Sequence, residues 1–369
     1  MDSDSRPETV AVVGGGAVGL TAAFHLADAG VSVRLYERDD LGSGATGRAA
    51  GLCYDAYADR TDARVAARSL DAFRNLGVLT ARPYVWVART GDDNVATAIR
   101  EQVAGMQARE RDVALRSPTE LASQFSPLET DHLAVGAVAR NAGHVDADAF
   151  VDQMATRAAD AGVTIETDTP AELADETTVD APDGRRFFDA VLLAAGAHTD
   201  RLAADAGHAL ALGRYRAQAL VTDAVPERPP LLYDASERFY LRPHDDGLLV
   251  GDGAHASEGD PDSADPTADE DFVDASRERV ETALGCTTAV ERSWAGLCTA
   301  TPDRDPLLGH VANGLYVAAG WHGHGFMRAP ALGETIAEQM IGENEGIDHF
   351  DPTRFDGDEP IDLPAGIVD

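Results

Sequence analysis

Gly14, Gly16 and Gly19 stand as Gly-x-Gly-x-x-Gly directly behind the apolar run Val10 to Val13. This is the pattern by which a chain holds a pyrophosphate: Gly14 permits a tight turn, Gly16 lets backbone approach phosphate oxygens, and Gly19 lets a helix lie close to the strand. Ala17 and Val18 fall at the opening of that helix, whose N-terminus faces the phosphates. Glu37, 18 residues after Gly19 and followed by Arg38, is placed to accept hydrogen bonds from a ribose. Near the other end of the chain lie Cys298 in AGLCTATPD and the pair His322 and His324 in GWHGHGF. A thiol is a nucleophile if its pKa is lowered and a small apolar filler if it is not. A histidine in a tight loop is a base or a hydrogen-bond filler. Tyr240 and Arg242 in FYLRP share one face of a strand by alternation and could hold a carboxylate, as could Arg48 or Arg328.

These groups need elements to position them. Val18, Ala22 and Leu26 recur at helical spacing up to Gly30, and Val31, Val33 and Leu35 then alternate as a second strand. Strand, turn, helix, strand is the context that gives the glycine pattern its meaning. No second Gly-x-Gly-x-x-Gly exists, so one dinucleotide is expected and the substrate itself must supply electrons. GSGATGRAAG, residues 42–51, brings Ser43, Thr46, Gly47 and Arg48 rather than another helix, which suits a second phosphate-side loop and a larger cofactor than NAD.

That loop resembles the GSGASGR-type segment of the D-amino acid oxidase and sarcosine oxidase superfamily of FAD-dependent oxidoreductases, which includes the glycine oxidases. The resemblance continues through GHVDADAFVDQMATRAADAGVTIET (143–167), AVLLAAG (190–196) with Ala195 and Gly196 at its end, RFYLRPHDDGLLVG (238–251), and the closing segment 301–340. It implies an α/β fold: an FAD-binding Rossmann-like domain with an inserted α+β substrate domain built on a mainly antiparallel sheet. The FAD-binding parts would be 1–80, 143–205 and 293–345, the substrate parts 81–142 and 206–292, and 346–369 an acidic C-terminal tail. The resemblance places Gly320, Gly323, Gly325, Phe326 and Met327 along the flavin ring, where backbone N–H groups would stabilise its reduced, anionic form.

Two departures stand out. Cys298 occupies the place where glycine oxidases carry a carboxylate-binding arginine, and Cys298-Thr299-Ala300-Thr301 resembles the Cys-x-x-Thr of the sarcosine oxidases, whose cysteine is bonded to FAD. A covalent bond through Cys298, contact without a bond, and simple packing all stay open. Met327 and Leu249 stand where sarcosine oxidases carry lysines, so Arg328 is a candidate to replace one charge, and oxygen competes with an electron carrier as acceptor. The activity implied is hydride transfer from the carbon–nitrogen unit of an amino acid (N-methyl, secondary or D-) to flavin N5. A 2-hydroxy acid donor, which would need a histidine base, and a flavin-holding subunit of a larger complex are the alternatives.

Composition bounds the setting. All 30 cationic residues of the 369 are arginine, against 64 acidic ones, for a formal charge of -34. Lysine chemistry is excluded, and such self-repulsion is tolerable mainly under concentrated counterions, so a halophile's cytosol is expected. Nucleic acid or an anionic membrane would be repelled. The three cysteines fit no disulfide framework, no leader-like segment precedes the first strand, and no metal site is expected. A cytoplasmic chain is therefore predicted, and the run 257–271 reads as solvated loop.

Overall fold

The computed structural model of the chain describes residues 6–252, 255–256 and 260–361. Thr9–Val13 is a strand whose Val10, Ala11 and Val12 are fully buried, as an apolar run covered on both faces must be. It sits inside a six-stranded sheet in the order Leu307–Ala312, Leu315–Ala319, Ala190–Leu193, Thr9–Val13, Ser32–Tyr36, Thr164–Glu166. All neighbours are parallel except the first pair. Helices Ala17–Asp28 and Gly325–Met340 pack on one another over one face, with Leu20, Leu26, Leu332 and Ile336 fully buried between the layers.

The larger sheet has nine strands. Its path runs His255–Ala256, Gly213–Thr222, Gly247–Asp252, Phe239–His244, Leu231–Asp234, Tyr84–Arg89, Leu133–Ala139, Val113–Arg116. One contact in it, Leu231–Asp234 with Tyr84–Arg89, is parallel. The long strand Val290–Ala300 pairs with Gly213–Thr222 from Gly213 opposite Ala300 to Thr222 opposite Val290, and so carries Cys298 from the antiparallel sheet toward the parallel one. A small third sheet, Leu52–Tyr54, Ala142–Val145, Leu79–Ala81, lies between them in sequence. The α/β fold expected from the sequence, a Rossmann-like unit with a mainly antiparallel companion, is the one observed.

Two loop assignments are corrected. Residues 346–361 are not a free tail: Phe350 is buried, and the Arg354 guanidinium donates to Asp303 at 2.8 and 3.0 Å, because Phe350 and Pro352 give this acidic stretch apolar anchors. Residues 362–369 lie outside the described residues. In the run 257–271, residues 257–259 lie outside them too. The described part is mostly solvent-exposed, as expected, but Pro261–Ser263 forms a short 3-10 turn whose Asp262 is an ion-pair partner, and a helix opens at Glu270. No helix is long and apolar enough to cross a membrane among the described residues.

Candidate active site

Gly14 has φ +114°, and a Cβ there would lie 2.4 Å from the Ala194 carbonyl oxygen; a Cβ on Gly19 would lie 2.0 Å from the Gly14 oxygen. The turn is closed so tightly that only glycine fits at either place. Gly16 is the N-cap of helix Ala17–Asp28 and offers no side chain to cap its first N–H groups. The Ala17 N–H donates to the Thr46 hydroxyl at 3.1 Å, the Gly42 N–H donates to the Gly15 carbonyl at 3.0 Å, and Gly47 closes back on the Gly42 carbonyl. Loop 42–48 is thereby docked on the glycine turn. The Glu37 carboxylate accepts from the Gly15 N–H at 2.7 Å and the Asp39 N–H at 3.0 Å. Ala195 and Gly196 follow strand Ala190–Leu193 on the other side of that turn, and the space a Gly196 side chain would take is open.

Across the molecule, Gly320 to Gly325 forms the loop that precedes helix Gly325–Met340. The Gly320 N–H donates to the Thr299 hydroxyl at 3.0 Å, and the His322 N–H donates to the Thr299 carbonyl at 2.9 Å. His322 takes φ +48°, a conformation held by its ring: Nε2 accepts from the Thr301 N–H at 2.8 Å, so the proton sits on Nδ1, which is buried without a partner. Burial, helped by Arg304 and Arg328, pushes the His322 pKa down to about 4; burial and Arg328 push that of His324 down to about 3. Both rings are neutral near pH 7. Phe326 stacks on Phe73 in the core, and Met327 accepts from the Tyr57 hydroxyl at 3.5 Å. The N-terminal N–H groups of this helix have no intrahelical acceptor.

Cys298 lies directly opposite Tyr215, whose hydroxyl is hydrogen-bonded to its sulfur and stands close to Gly323. Tyr240 is buried near the same thiol. Burial pushes the Cys298 pKa up to about 11 in spite of the Tyr215 bond, so no local cation activates the thiol.

The arginines are already engaged. Arg328 is 7% exposed, pairs with Asp62 at 3.0 Å and lies over the Tyr57 ring at 5.2 Å. Arg242 donates to the Ala50 carbonyl and, at 2.8 Å, to the Pro243 carbonyl. Arg48 donates to the Ser43 and Gly44 carbonyls with its stem against Gly296. Arg38 bonds Asp262 and Asp39 and reaches His198 at 2.9 Å. Each of the four guanidiniums thus has protein partners; the bonds of Arg242 to Ala50 and Pro243 use its Nε and Nη1. Tyr215, Tyr57, Tyr54 and Asp62 carried no local signal in the sequence, since strand pairing and helix packing bring them to the loop.

A family model described as "FAD dependent oxidoreductase" matches residues 9–339. The chain belongs to the FAD dependent oxidoreductase family. It is 25% identical to the mitochondrial dimethylglycine dehydrogenase of Rattus norvegicus, over 95% of this chain and 45% of that one. It is 29% identical to the 4-methylaminobutanoate oxidase (formaldehyde-forming) of Paenarthrobacter nicotinovorans, over 94% of this chain and 45% of that one. The chain thus spans under half the length of these curated relatives. The crystal structure of L-proline dehydrogenase from P. horikoshii shares the fold with a TM-score of 0.86 at 24% identity, covering 95% of this chain and 98% of that one.

FAD fits what is present. The glycine turn, too tight for a Cβ at Gly14 or Gly19, and loop 42–48 form a backbone cradle, the Glu37 carboxylate follows the second strand beside it, and the His322 Nδ1–H is an orphaned buried donor at the other end.

Proposed function

We propose that this chain, with FAD bound, oxidises the carbon–nitrogen unit of an amino acid, a secondary or N-methylated one in the first place and a D-amino acid in the second. FAD, when bound, supplies the hydride acceptor at ring N5. Gly14 to Gly19, Thr46, Gly47 and Arg48 would hold its pyrophosphate, Glu37 its ribose, and Gly320 to Met327 its ring through backbone N–H groups. Arg38, Ala195 and Gly196 would flank the adenosine end.

The observation that carries this reading is the state of the two histidines. An alcohol donor needs a base for its hydroxyl proton. The His322 Nε2 lone pair is taken by the Thr301 N–H, and a His324 whose pKa is pushed down to about 3 holds a proton too weakly at neutral pH. An amine bound in its neutral form needs no such base, because its own lone pair forms the C=N bond; the resulting imine then hydrolyses in water. In this reading the Tyr215 and Tyr240 hydroxyls orient the substrate carboxylate, and the packed wall of Tyr54, Tyr57 and Tyr84 keeps water out. The printed names of the two curated relatives, which denote N-methylated donors, support the same class.

We also take FAD to be held without a covalent bond, since a protonated Cys298 thiol is a poor nucleophile. An electron carrier is favoured over oxygen as acceptor, since Leu249, in place of the family's lysine, is buried in an apolar cluster. The division of the chain proposed above, with FAD-binding parts at 1–80, 143–205 and 293–345, follows from the same reading.

Anaerobic titration of the yellow protein at high salt tests it. N-methylated or D-amino acids should bleach the flavin and 2-hydroxy acids should not. Bleaching by hydroxy acids alone would overturn the reading, and bleaching by no donor would favour a flavin-holding subunit.

A further inference from the structure

One face of strand Phe239–His244 carries Tyr240, Arg242 and His244 in succession, since side chains alternate. Tyr240 is the end next to Cys298. Beyond it, the stripe runs into groups of one sign. His144, on the middle strand of the small sheet opposite Leu52 and Thr80, feels Arg242, Arg82, His244 and Arg228. Arg292 adds to the field at His244. Arg82 donates to the Pro229 carbonyl at 2.9 Å, yet its Nε–H is buried without a partner, and so is the His144 Nδ1.

The nearby acids do not cancel this cluster. Asp245 lies 3.8 Å from His244 and Asp246 3.3 Å from Arg228, but their side chains are 94% and 90% exposed, and Asp146 is exposed as well. Pairs of that kind contribute little. Burial first, then Arg242, Arg82, His244 and Arg228, push the His144 pKa down to about 4, in keeping with a positive local potential. In a molecule of charge -34 such a spot is against the average, and an anionic substrate would otherwise be repelled on approach.

We propose that Arg242, His144 and Arg82, with His244 and Arg228 at the rim, form a subsite for a second, distal carboxylate, so that the substrate is an amino acid carrying an acidic side chain or N-substituent. This rests on the amino acid oxidation proposed above and narrows its donor. Arg242 lies two residues along the strand from Tyr240, a rise of about 7 Å, which is the reach of a glutamate-sized group. The buried members keep their effect in brine, where exposed charges are screened.

The experiment pairs N-methylglutamate with N-methylglutamine, matched in shape and different in charge. Anaerobic flavin reduction should prefer the acid by about tenfold in kcat/KM, the effect of one partly desolvated charge pair. In Arg82→Gln and in His144→Gln the preference should fall toward unity. Independently of turnover, glutarate added at fixed sodium chloride should bind the FAD-loaded protein and raise the pKa read from the His144 imidazole resonances. An equal rate on both donors together with a His144 signal indifferent to glutarate overturns the subsite. Suppression of the glutarate effect by chloride alone at working salt overturns it in favour of an inorganic anion site. If no amine bleaches the flavin while glutarate still moves His144, the oxidation reading fails and the anion subsite stands.

Discussion

Tyr215 and Cys298 face each other across two antiparallel strands, hydroxyl against sulfur, and the thiol is nevertheless held protonated, with a pKa near 11. In FAD-free protein, alkylation of Cys298 should therefore rise with a midpoint near pH 11, and Tyr215→Phe should move it higher, because the hydroxyl is the group that lowers it. Acid precipitation of the yellow protein should leave the flavin in the supernatant. A midpoint at or below about 8.5, the ordinary thiol value, would contradict this account.

Gly19→Ala places a methyl group 2.0 Å from the Gly14 carbonyl oxygen, inside the turn itself. Backbone has to move, at a cost of about 1–3 kcal/mol or more, and the phosphate cradle moves with it. The variant should be recovered colourless and should fail to take up added FAD in a fluorescence-quenching titration. Full FAD uptake would show the turn to be less constrained than its geometry indicates.

Arg328→Ala leaves Asp62 beside Tyr57 without its counter-charge, in a place where burial already raises the Asp62 pKa. Breaking such a pair costs about 3–5 kcal/mol, whereas removing both partners costs less. Denaturant unfolding at constant high salt should show Arg328→Ala to be less stable than the double variant Arg328→Ala/Asp62→Ala.

His322 and His324 have folded-state pKa values, near 4 and 3, below the unfolded value of about 6.5. As pH falls below 6.5 the unfolded chain takes up protons that the folded one refuses, so these two rings destabilise the fold progressively down to their folded pKa values. The slope is up to about 1.4 kcal/mol per pH unit for each ring. The double variant His322→Gln/His324→Gln should show a flatter stability profile between pH 6.5 and 4 by thermal unfolding. The rate of flavin reduction by an amine should carry no limb assignable to either ring between pH 5 and 8.

Asp262 accepts from Arg38, His198 and, at 3.0 Å, Arg201, and the Arg38 and His198 bonds hold its pKa down to about 2. The carboxylate ties the turn Pro261–Ser263 to the residue that follows Glu37. Asp262→Ala should speed FAD release a fewfold in a dilution experiment, a modest effect because the groups are solvent-facing and screened. An unchanged release rate would assign the clasp to the surface alone.

The glycine turn and its setting were legible because their requirement is local: Gly14, Gly16, Gly19 and Glu37 are fixed by a turn, a helix start and a strand end within thirty residues. The loop Gly320 to Gly325 was legible through resemblance. What Cys298 and the arginines do was not, because their partners arrive by long-range pairing. Tyr215 meets Cys298 only through the register of two long strands, and Asp62 meets Arg328 only after two helices pack. The buried state of Phe350 was hidden by the acidic residues around it, whose charge reads as solvated surface whether or not an apolar anchor sits among them.

The order of strands in the parallel sheet has a consequence for biogenesis. Thr9–Val13 leaves the ribosome first, but its neighbour Ala190–Leu193 comes some 180 residues later, and the strand beyond that, Leu315–Ala319, later still. The glycine turn and the loop at Gly320 therefore cannot meet until some 300 further residues have been made. Capture of the flavin has to wait for that meeting, and until then a buried apolar strand must be kept from pairing with a neighbouring nascent chain.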